Sequence, residues 1–294
     1  MPGADSDVLQ VRNVTPVVFS QTRQKVPKIR ASGGASLNVG IARTCFELEQ
    51  AFRLVKQRYR QKGYDGNSRS PLWLNPHDAL PQTRTFIAKR LGNVVATLTL
   101  VVDEGLGLPM DGQFSQQLSP LRSAGLRLAE VTSLAVADTL GRDGLRLVLE
   151  LFQRLGLYLR HEAPVDRLCI TVNPRHRAYY EKKLGFSTSL GVEESYKRVA
   201  GAPAAGLVGS ATAIVDRVLS MPMSTAMKDQ ELRLIRRTEQ RHPFRWNFGC
   251  FRYFFVDQTA LLGKLNNEFR EQLRIQYPDF DWAALLPAKM LFPA

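Results

Sequence analysis

Glu130-Val131-Thr132-Ser133-Leu134-Ala135-Val136 is followed by Leu140-Gly141-Arg142-Asp143-Gly144, and then by an apolar-faced stretch ending at His161. Arg167-Leu168-Cys169-Ile170-Thr171-Val172 comes next. The block closes on Asn173-Pro174-Arg175-His176-Arg177-Ala178-Tyr179-Tyr180-Glu181-Lys182-Lys183-Leu184-Gly185-Phe186. This patterning reads as strand, glycine-bearing loop, helix, strand, helix. Strands alternating with helices at this spacing imply crossover connections within one sheet. The loop delivers free backbone N–H groups to a helix N-terminus, a seat suited to an anionic cofactor arm. Leu145, Val148, Leu149, Phe152, Leu155 and Leu159 give the helix the wide apolar stripe of a core element.

Upstream, residues 83–90 and 94–103 are β-rich and separated by Gly92-Asn93, a hairpin signal. Further back, Thr44 and Glu47 have capping-box spacing. Leu48, Phe52, Val55 and Tyr59 recur on one face of the helix they open, which Gly63 ends. Residues 37–42 read as an edge strand, and residues 1–36, polar and aperiodic, as a flexible arm. A helix is expected from Asp111, with Phe114, Leu118 and Leu121 inward. Residues 126–136 then form a strand with Leu128, Glu130 and Thr132 on one face, unless a bulge breaks the register.

Downstream, residues 196–199 are expected as a final strand, and Ala200-Gly201-Ala202-Pro203-Ala204-Ala205-Gly206 reads as a linker. Beyond it lie a basic helix over 228–241, an aromatic-rich strand over 248–256, and a helix capped by Asp257 with Leu261, Leu265, Phe269 and Leu273 on one face. The expected organisation is an arm over 1–36, an α/β domain over 37–204 and an appendage over 205–294. A structural cover is the favoured role for the appendage, with a subunit contact or partner docking as alternatives. His77 reads as a solvated loop residue.

A chain of 294 residues can bury a full core. No apolar run approaches the length that crosses a bilayer, and no hydrophobic signal core opens the chain. Cys45, Cys169 and Cys250 show no zinc or redox spacing, so buried thiols in a reducing cytoplasm are expected. The 40 Lys and Arg residues outnumber 27 Asp and Glu, a formal charge of +13. Such an excess favours an acidic partner: nucleic acid, an anionic membrane or an acidic carrier protein. It is spread along the whole chain with no nucleic-acid module pattern, which makes nucleic acid the weakest of the three.

Three stretches carry a family resemblance. They are Leu108-Pro109-Met110-Asp111 through Leu121-Arg122 to Leu128-Ala129-Glu130-Val131, then Ser133-Leu134-Ala135-Val136, then the run from Asn173 to Phe186 with Gly201-Ala202-Pro203 after it. Together they resemble the GNAT acyltransferases, and within them the bacterial N-acyl amino acid synthases, which are similar to the acyl-homoserine lactone autoinducer synthases. The resemblance covers roughly the middle half of the chain. It implies a central, mixed, splayed β-sheet flanked by helices, followed by a mainly helical C-terminal extension. It also implies an acyltransferase moving a long-chain acyl group to the α-amino group of an amino acid. The donor would be acyl-phosphopantetheine on acyl carrier protein or CoA, with no metal.

Amide formation from a thioester requires that the amine lose a proton, the oxyanion be stabilised and the thiolate be protonated. Glu130 is the expected base, because a carboxylate among apolar neighbours is a better proton acceptor near neutrality. It also matches a glutamate of the autoinducer synthases; the competing reading pairs it with Arg122 or Arg127. Backbone N–H groups around Leu134, Ala135 and Val136 would face the thioester carbonyl and pantetheine arm, as GNAT strands splay here. A strand paired on both edges would have no such donors to spare. Tyr180 is the expected acid, standing seven residues after Asn173 as GNAT proteins have it. It is one position too far from Phe186, so Tyr179 or a water stay open.

The glycine loop departs from the GNAT pattern: Gly141 stands where a basic or amide residue is usual and Arg146 where a small one is. Arg142 and Gly144 remain as cofactor contacts, but a cradle weakened by Arg146 and Asp143 suits one phosphodiester better than a diphosphate. That favours a carrier protein, docking on Arg146, Arg177, Lys182 and Lys183. Arg175 or Arg122 would grip the acceptor's carboxylate, and Tyr64 would border the acceptor. A peripheral membrane contact and a dimer through the extension stay open. The rivals are an acetyl-CoA-dependent N-acetyltransferase and a catalytically degenerate binding module.

Overall fold

Alternating apolar positions produce seven strands, and their pairing builds a single sheet. The computed structural model describes residues 37–66, 68–141, 143–235 and 244–286; the arm expected over 1–36 and Arg142 lie outside them. The chain runs through β1 (Leu37–Ile41), α1 (Cys45–Gln61), β2 (Arg84–Arg90), β3 (Asn93–Val102), α2 (Asp111–Ser123), β4 (Leu128–Val136) and α3 (Asp143–His161). It continues through β5 (Arg167–Val172), α4 (Arg177–Tyr179), β6 (Thr188–Tyr196), β7 (Ala202–Ser210) and α5 (Ala211–Ser220). The extension adds α6 (Thr225–Ile235), α7 (Phe248–Arg252), α8 (Asn267–Gln276) and α9 (Trp282–Leu285). Spatial order in the sheet is β1-β2-β3-β4-β5-β7-β6. β4 and β5 are parallel and the other pairs antiparallel. The architecture is therefore the expected mixed α/β sheet with a mainly helical C-terminal extension.

Strand alternation divides the core between the two sheet faces. Phe86 and Ala88 of β2 bury on the side of α3, with Leu151, Phe152, Leu155 and Leu159. Ile87 faces the other way, toward Phe52 and Val55 of α1 and the aromatics of the extension. Thr44 caps α1 by accepting a bond from the Glu47 N–H at 3.1 Å, as the sequence indicated.

Besides the strand expected over 196–199, where β6 ends at Tyr196 and Lys197–Val199 form a 3₁₀ turn, four expectations are overturned. Residues 200–206 are not a linker: β6 and β7 form a hairpin, and β7 inserts between β5 and β6. Its residues are small because the strand passes tightly under α2, where a Cβ on Gly206 would lie 2.9 Å from the Phe114 ring. The boundary at 204/205 thus falls inside a strand, and the sheet extends to Ser210. Residues 248–256 are helical, because Phe251, Phe254 and Phe255 recur at helical spacing and all three bury. The expected Asp257 cap is replaced by Asn266, whose side chain accepts from the Phe269 N–H at 2.8 Å to open α8.

The fourth concerns cysteine. Cys45 and Cys250 form a disulfide, and only Cys169 is a buried thiol. A bridge across a sequence separation of 205 residues is invisible to any spacing rule, and it removes cysteine usage as an argument for a reducing compartment. No described helix is long and apolar enough to cross a membrane. The bond ties the start of α1 to α7; further along, Phe52 of α1 meets Phe254, just past α7, edge-on at 5.6 Å. Closing so long a loop restricts the unfolded chain, so Cys250→Ser is expected to cost about 2–5 kcal/mol in denaturant unfolding. A loss under about 0.5 kcal/mol would show that the bond contributes little beyond surrounding packing.

Candidate active site

The sheet parts in its middle. β4 and β5 pair from Leu128 opposite Arg167 to Val131 opposite Ile170, and then stop. On its other edge β5 pairs with β7 along its whole length, up to Thr171 opposite Gly206 and Val172 opposite Ala205. β4 continues against β3 with a bulge, since Thr132 opposes Thr99 while Ala135 opposes Thr97. Ser133 and Leu134 therefore share one place in the register. Ser133 takes φ 53°, a left-handed conformation that costs a non-glycine residue about 1–2 kcal/mol. Asn75 Nδ2 donates to Ser133 Oγ at 3.4 Å and steadies the bulge. Such a bulge re-aims the backbone beside the parting.

A cavity of about 480 Å³ fills the gap. Thr132 to Val136 form one wall and Ile170, Thr171 and Val172 the other, with Leu145 and Val148 of α3 beyond. Glu130, Leu134, Ala135, Val136, Tyr180, Tyr64 and Arg175 all line it. The parted edge and the residues expected on it are brought together.

Glu130 is 1% exposed. One carboxylate oxygen accepts the Met110 N–H at 2.7 Å, and the other lies 3.7 Å from Arg198 Nη1. Burial pushes its pKa up to about 7, against the lowering effects of Arg198 and the Met110 N–H. The partner is thus neither Arg122 nor Arg127. Arg198 sits on the turn between β6 and β7, donating to Thr132 Oγ1 at 3.2 Å and also to Asn75 Oδ1. It is a functional candidate that sequence reasoning missed. Its only local signal is a basic residue two positions after Tyr196, in a stretch read as strand.

Tyr180 is buried and packs edge-on to Tyr179, Phe152 and Phe186. The count that put it one residue too far from Phe186 has a structural answer. From Tyr180 to Leu184 the helix widens into a π turn, and the Gly185 and Phe186 N–H groups both bond the Tyr180 carbonyl, at 3.0 and 3.2 Å. A π turn absorbs one extra residue, so the phenol still reaches the cavity. Burial raises its pKa above the usual tyrosine value. Tyr64 accepts a bond from Asn173 Nδ2 at 3.2 Å, which ties the loop after α1 to the end of β5. Arg175, Lys62 and His176 also line the cavity; burial and the neighbouring Arg175 lower the His176 pKa, so the positive charge comes from Arg175 and Lys62.

Other expected residues stand elsewhere. Arg122 binds Asp103 at 2.6 Å and Asp111 at 2.7 Å and does not line the cavity, so its charge serves to fix α2. Gly144 lies in the first turn of α3, where a Cβ would come 3.2 Å from Val136, and it lets helix and strand approach. Arg146 pairs with Glu150 at 3.1 Å and Arg177 with Glu181 at 2.6 Å, while Lys182 and Lys183 are exposed. His77 is buried rather than solvated, and lies edge-on to Phe269 of α8 at 5.3 Å. Among the described residues, no three His, Cys, Asp or Glu side chains cluster as a metal site would require.

A β-sheet parted between a parallel strand pair, with a buried carboxylate at the parting, defines an acyltransferase of GNAT-like fold. The family model for FeeM, N-acyl amino acid synthase, matches residues 50–210, and the chain belongs to that family. The structure of FeeM, an N-acyl amino acid synthase from uncultured soil microbes, is 27% identical, with a TM-score of 0.53 over 62% of this chain and 94% of that one. The acyl-homoserine lactone synthase LasI is 16% identical, with a TM-score of 0.48 over 65% of this chain and 98% of that one. No curated protein matches the sequence.

Glu130 holds a proton up to about pH 7 in the folded chain, whereas the ordinary glutamate value is 4.5. Folding takes up a proton between those values, so this group's contribution to stability is present at low pH and is lost as pH rises through the window. Glu130→Gln removes that dependence. Its Tm minus that of the wild type is expected to grow from pH 4.5 to 7 and level off above, by the equivalent of about 3 kcal/mol at most. A difference independent of pH would rule out the raised pKa.

Proposed function

We propose that the chain transfers a long-chain acyl group from acyl carrier protein to the α-amino group of an amino acid. The observation that carries this reading is Glu130, held near neutrality beside a strand edge that has no β5 partner after Val131. A carboxylate titrating near pH 7 suits a general base. It takes the proton from the amine nitrogen as the C–N bond forms and the C–S bond breaks, and that proton finally leaves with the thiol. Arg198 keeps Glu130 from titrating still higher.

The backbone of Leu134, freed by the bulge, supplies a donor for the carbonyl oxygen, and the same edge offers Ala135 and Val136 to the amide groups of a pantetheine arm. Tyr180 faces the departing sulfur. Because burial raises its pKa, it acts by donating a hydrogen bond to the thiolate more than by giving up its proton. Arg175 and Lys62 suit the single phosphate of a carrier-borne arm. Arg146, Lys182 and Lys183 lie exposed for an acidic carrier to meet.

Two tests follow from this chemistry. With acyl carrier protein and a mixed amino-acid pool, mass spectrometry is expected to detect N-acyl amino acids, and Glu130→Gln to lower kcat about 10²–10⁴-fold. Equal turnover by that variant would remove Glu130 from the chemistry; preference for acetyl-CoA would overturn the donor. For the wild type, kcat/KM is expected to rise with pH through a limb near 7. Arg198→Gln moves that limb upward, because the cation that favours ionised Glu130 is gone.

A further inference from the structure

A second cavity, of about 520 Å³, lies on the other side of Arg198, which lines both. Its walls come from three separate segments. The loop after α1 supplies Ser70, Trp73, Asn75 and His77, and the turn before α2 supplies Leu108 and Pro109. The extension supplies Thr259, Leu261 and Lys264, which fall outside the 50–210 match. Met110, which donates its N–H to Glu130, follows Pro109 directly. The cavity therefore abuts the peptide that holds the base.

Its polar groups suit an anion. Arg198 brings a guanidinium to this wall, 3.7 Å from the carboxylate of the base and within the field of Asp78. Lys264 is exposed and has no ion pair among the described residues. His77 is 8% exposed. The Leu106 carbonyl stands beside its ring, which leaves at least one ring nitrogen without a protein partner. Leu72, Trp73, Leu74, Leu108 and Leu261 supply apolar walls. An α-amino acid carries both features: an anionic carboxylate, and a side chain for an apolar wall.

The extension also holds the loop in place. Trp246 Nε1 donates to the Asp78 carbonyl at 3.0 Å, and Tyr277 Oη to the Ala79 carbonyl at 2.9 Å. Ser70 Oγ reaches the Gln258 carbonyl at 3.4 Å. The loop so fixed presents Asn75 to Arg198 and to Ser133.

We infer that this second cavity receives the acceptor amino acid, and that the C-terminal extension, through Lys264 and Leu261, selects it by its carboxylate and side-chain size. The inference rests on the amino-acid acceptor proposed above. It moves the acceptor's carboxylate grip from Arg175 and Arg122 to Arg198 and Lys264.

Initial rates are measured with the full chain, an acyl carrier protein donor, and each accepted amino acid or its carboxamide. Lys264→Ala is expected to raise KM for the amino acid about tenfold or more, as loss of a charged hydrogen bond does. It leaves the donor's KM and the carboxamide's KM unchanged, and Lys264→Arg restores the amino-acid KM. Leu261→Trp is expected to exclude the bulkiest accepted amino acids before the small ones. An unchanged amino-acid KM in Lys264→Ala, or an equal rise for the carboxamide, would overturn the inference while the proposed function stands. A rise in the donor's KM alone would overturn it too, by assigning Lys264 to carrier docking. Failure of the wild type to acylate any amino acid would bring down both, and is recognised without a variant.

Discussion

The parting of β4 from β5 after Val131 is the constraint on which the molecule turns. Two strands of one sheet that separate leave the backbone groups of their facing edges without each other as partners. On their outer edges β5 keeps β7 and β4 keeps β3, the latter with a bulge at Ser133. What remains is a length of β4 backbone facing a cavity with apolar walls. The unusual backbone at Ser133 and the hydrogen bond from Asn75 belong to the same arrangement, which holds open a gap that hydrogen bonding would otherwise close.

Burial then decides the chemistry of Glu130. Desolvation alone would keep the carboxylate protonated at neutral pH, and a close ion pair with a fully free arginine would leave it too weak a base. Arg198 stands between these extremes: its Nη1 lies 3.7 Å from the carboxylate, while its Nη2 is engaged by Thr132 and Asn75. The result is a group that titrates near 7. Asn75 joins the parts, since it touches both the arginine that tunes the base and the serine that forms the bulge.

The extension reaches this centre indirectly. Its aromatics share a core with α1, and Trp246 and Tyr277 grip the carbonyls of the loop that bears Asn75. The disulfide between Cys45 and Cys250 fastens the same two pieces from the other end of α1.

Much of the fold was written in local pattern. The caps, the apolar stripe of α3 and the alternation of β2 to β5 depend on neighbours within a few residues, and so did the expectation of Glu130, a lone carboxylate in an apolar strand. Local pattern misled where small residues marked close packing, as in β7 under Phe114, and where aromatic density was read as strand instead of helix. Three things depended on residues distant in the chain being brought together: the pairing of Arg198 with Glu130, the bond from Cys45 to Cys250, and the wall that Leu261 and Lys264 add to the second cavity. No periodicity links such positions, because their contact is a property of how the sheet and the extension pack.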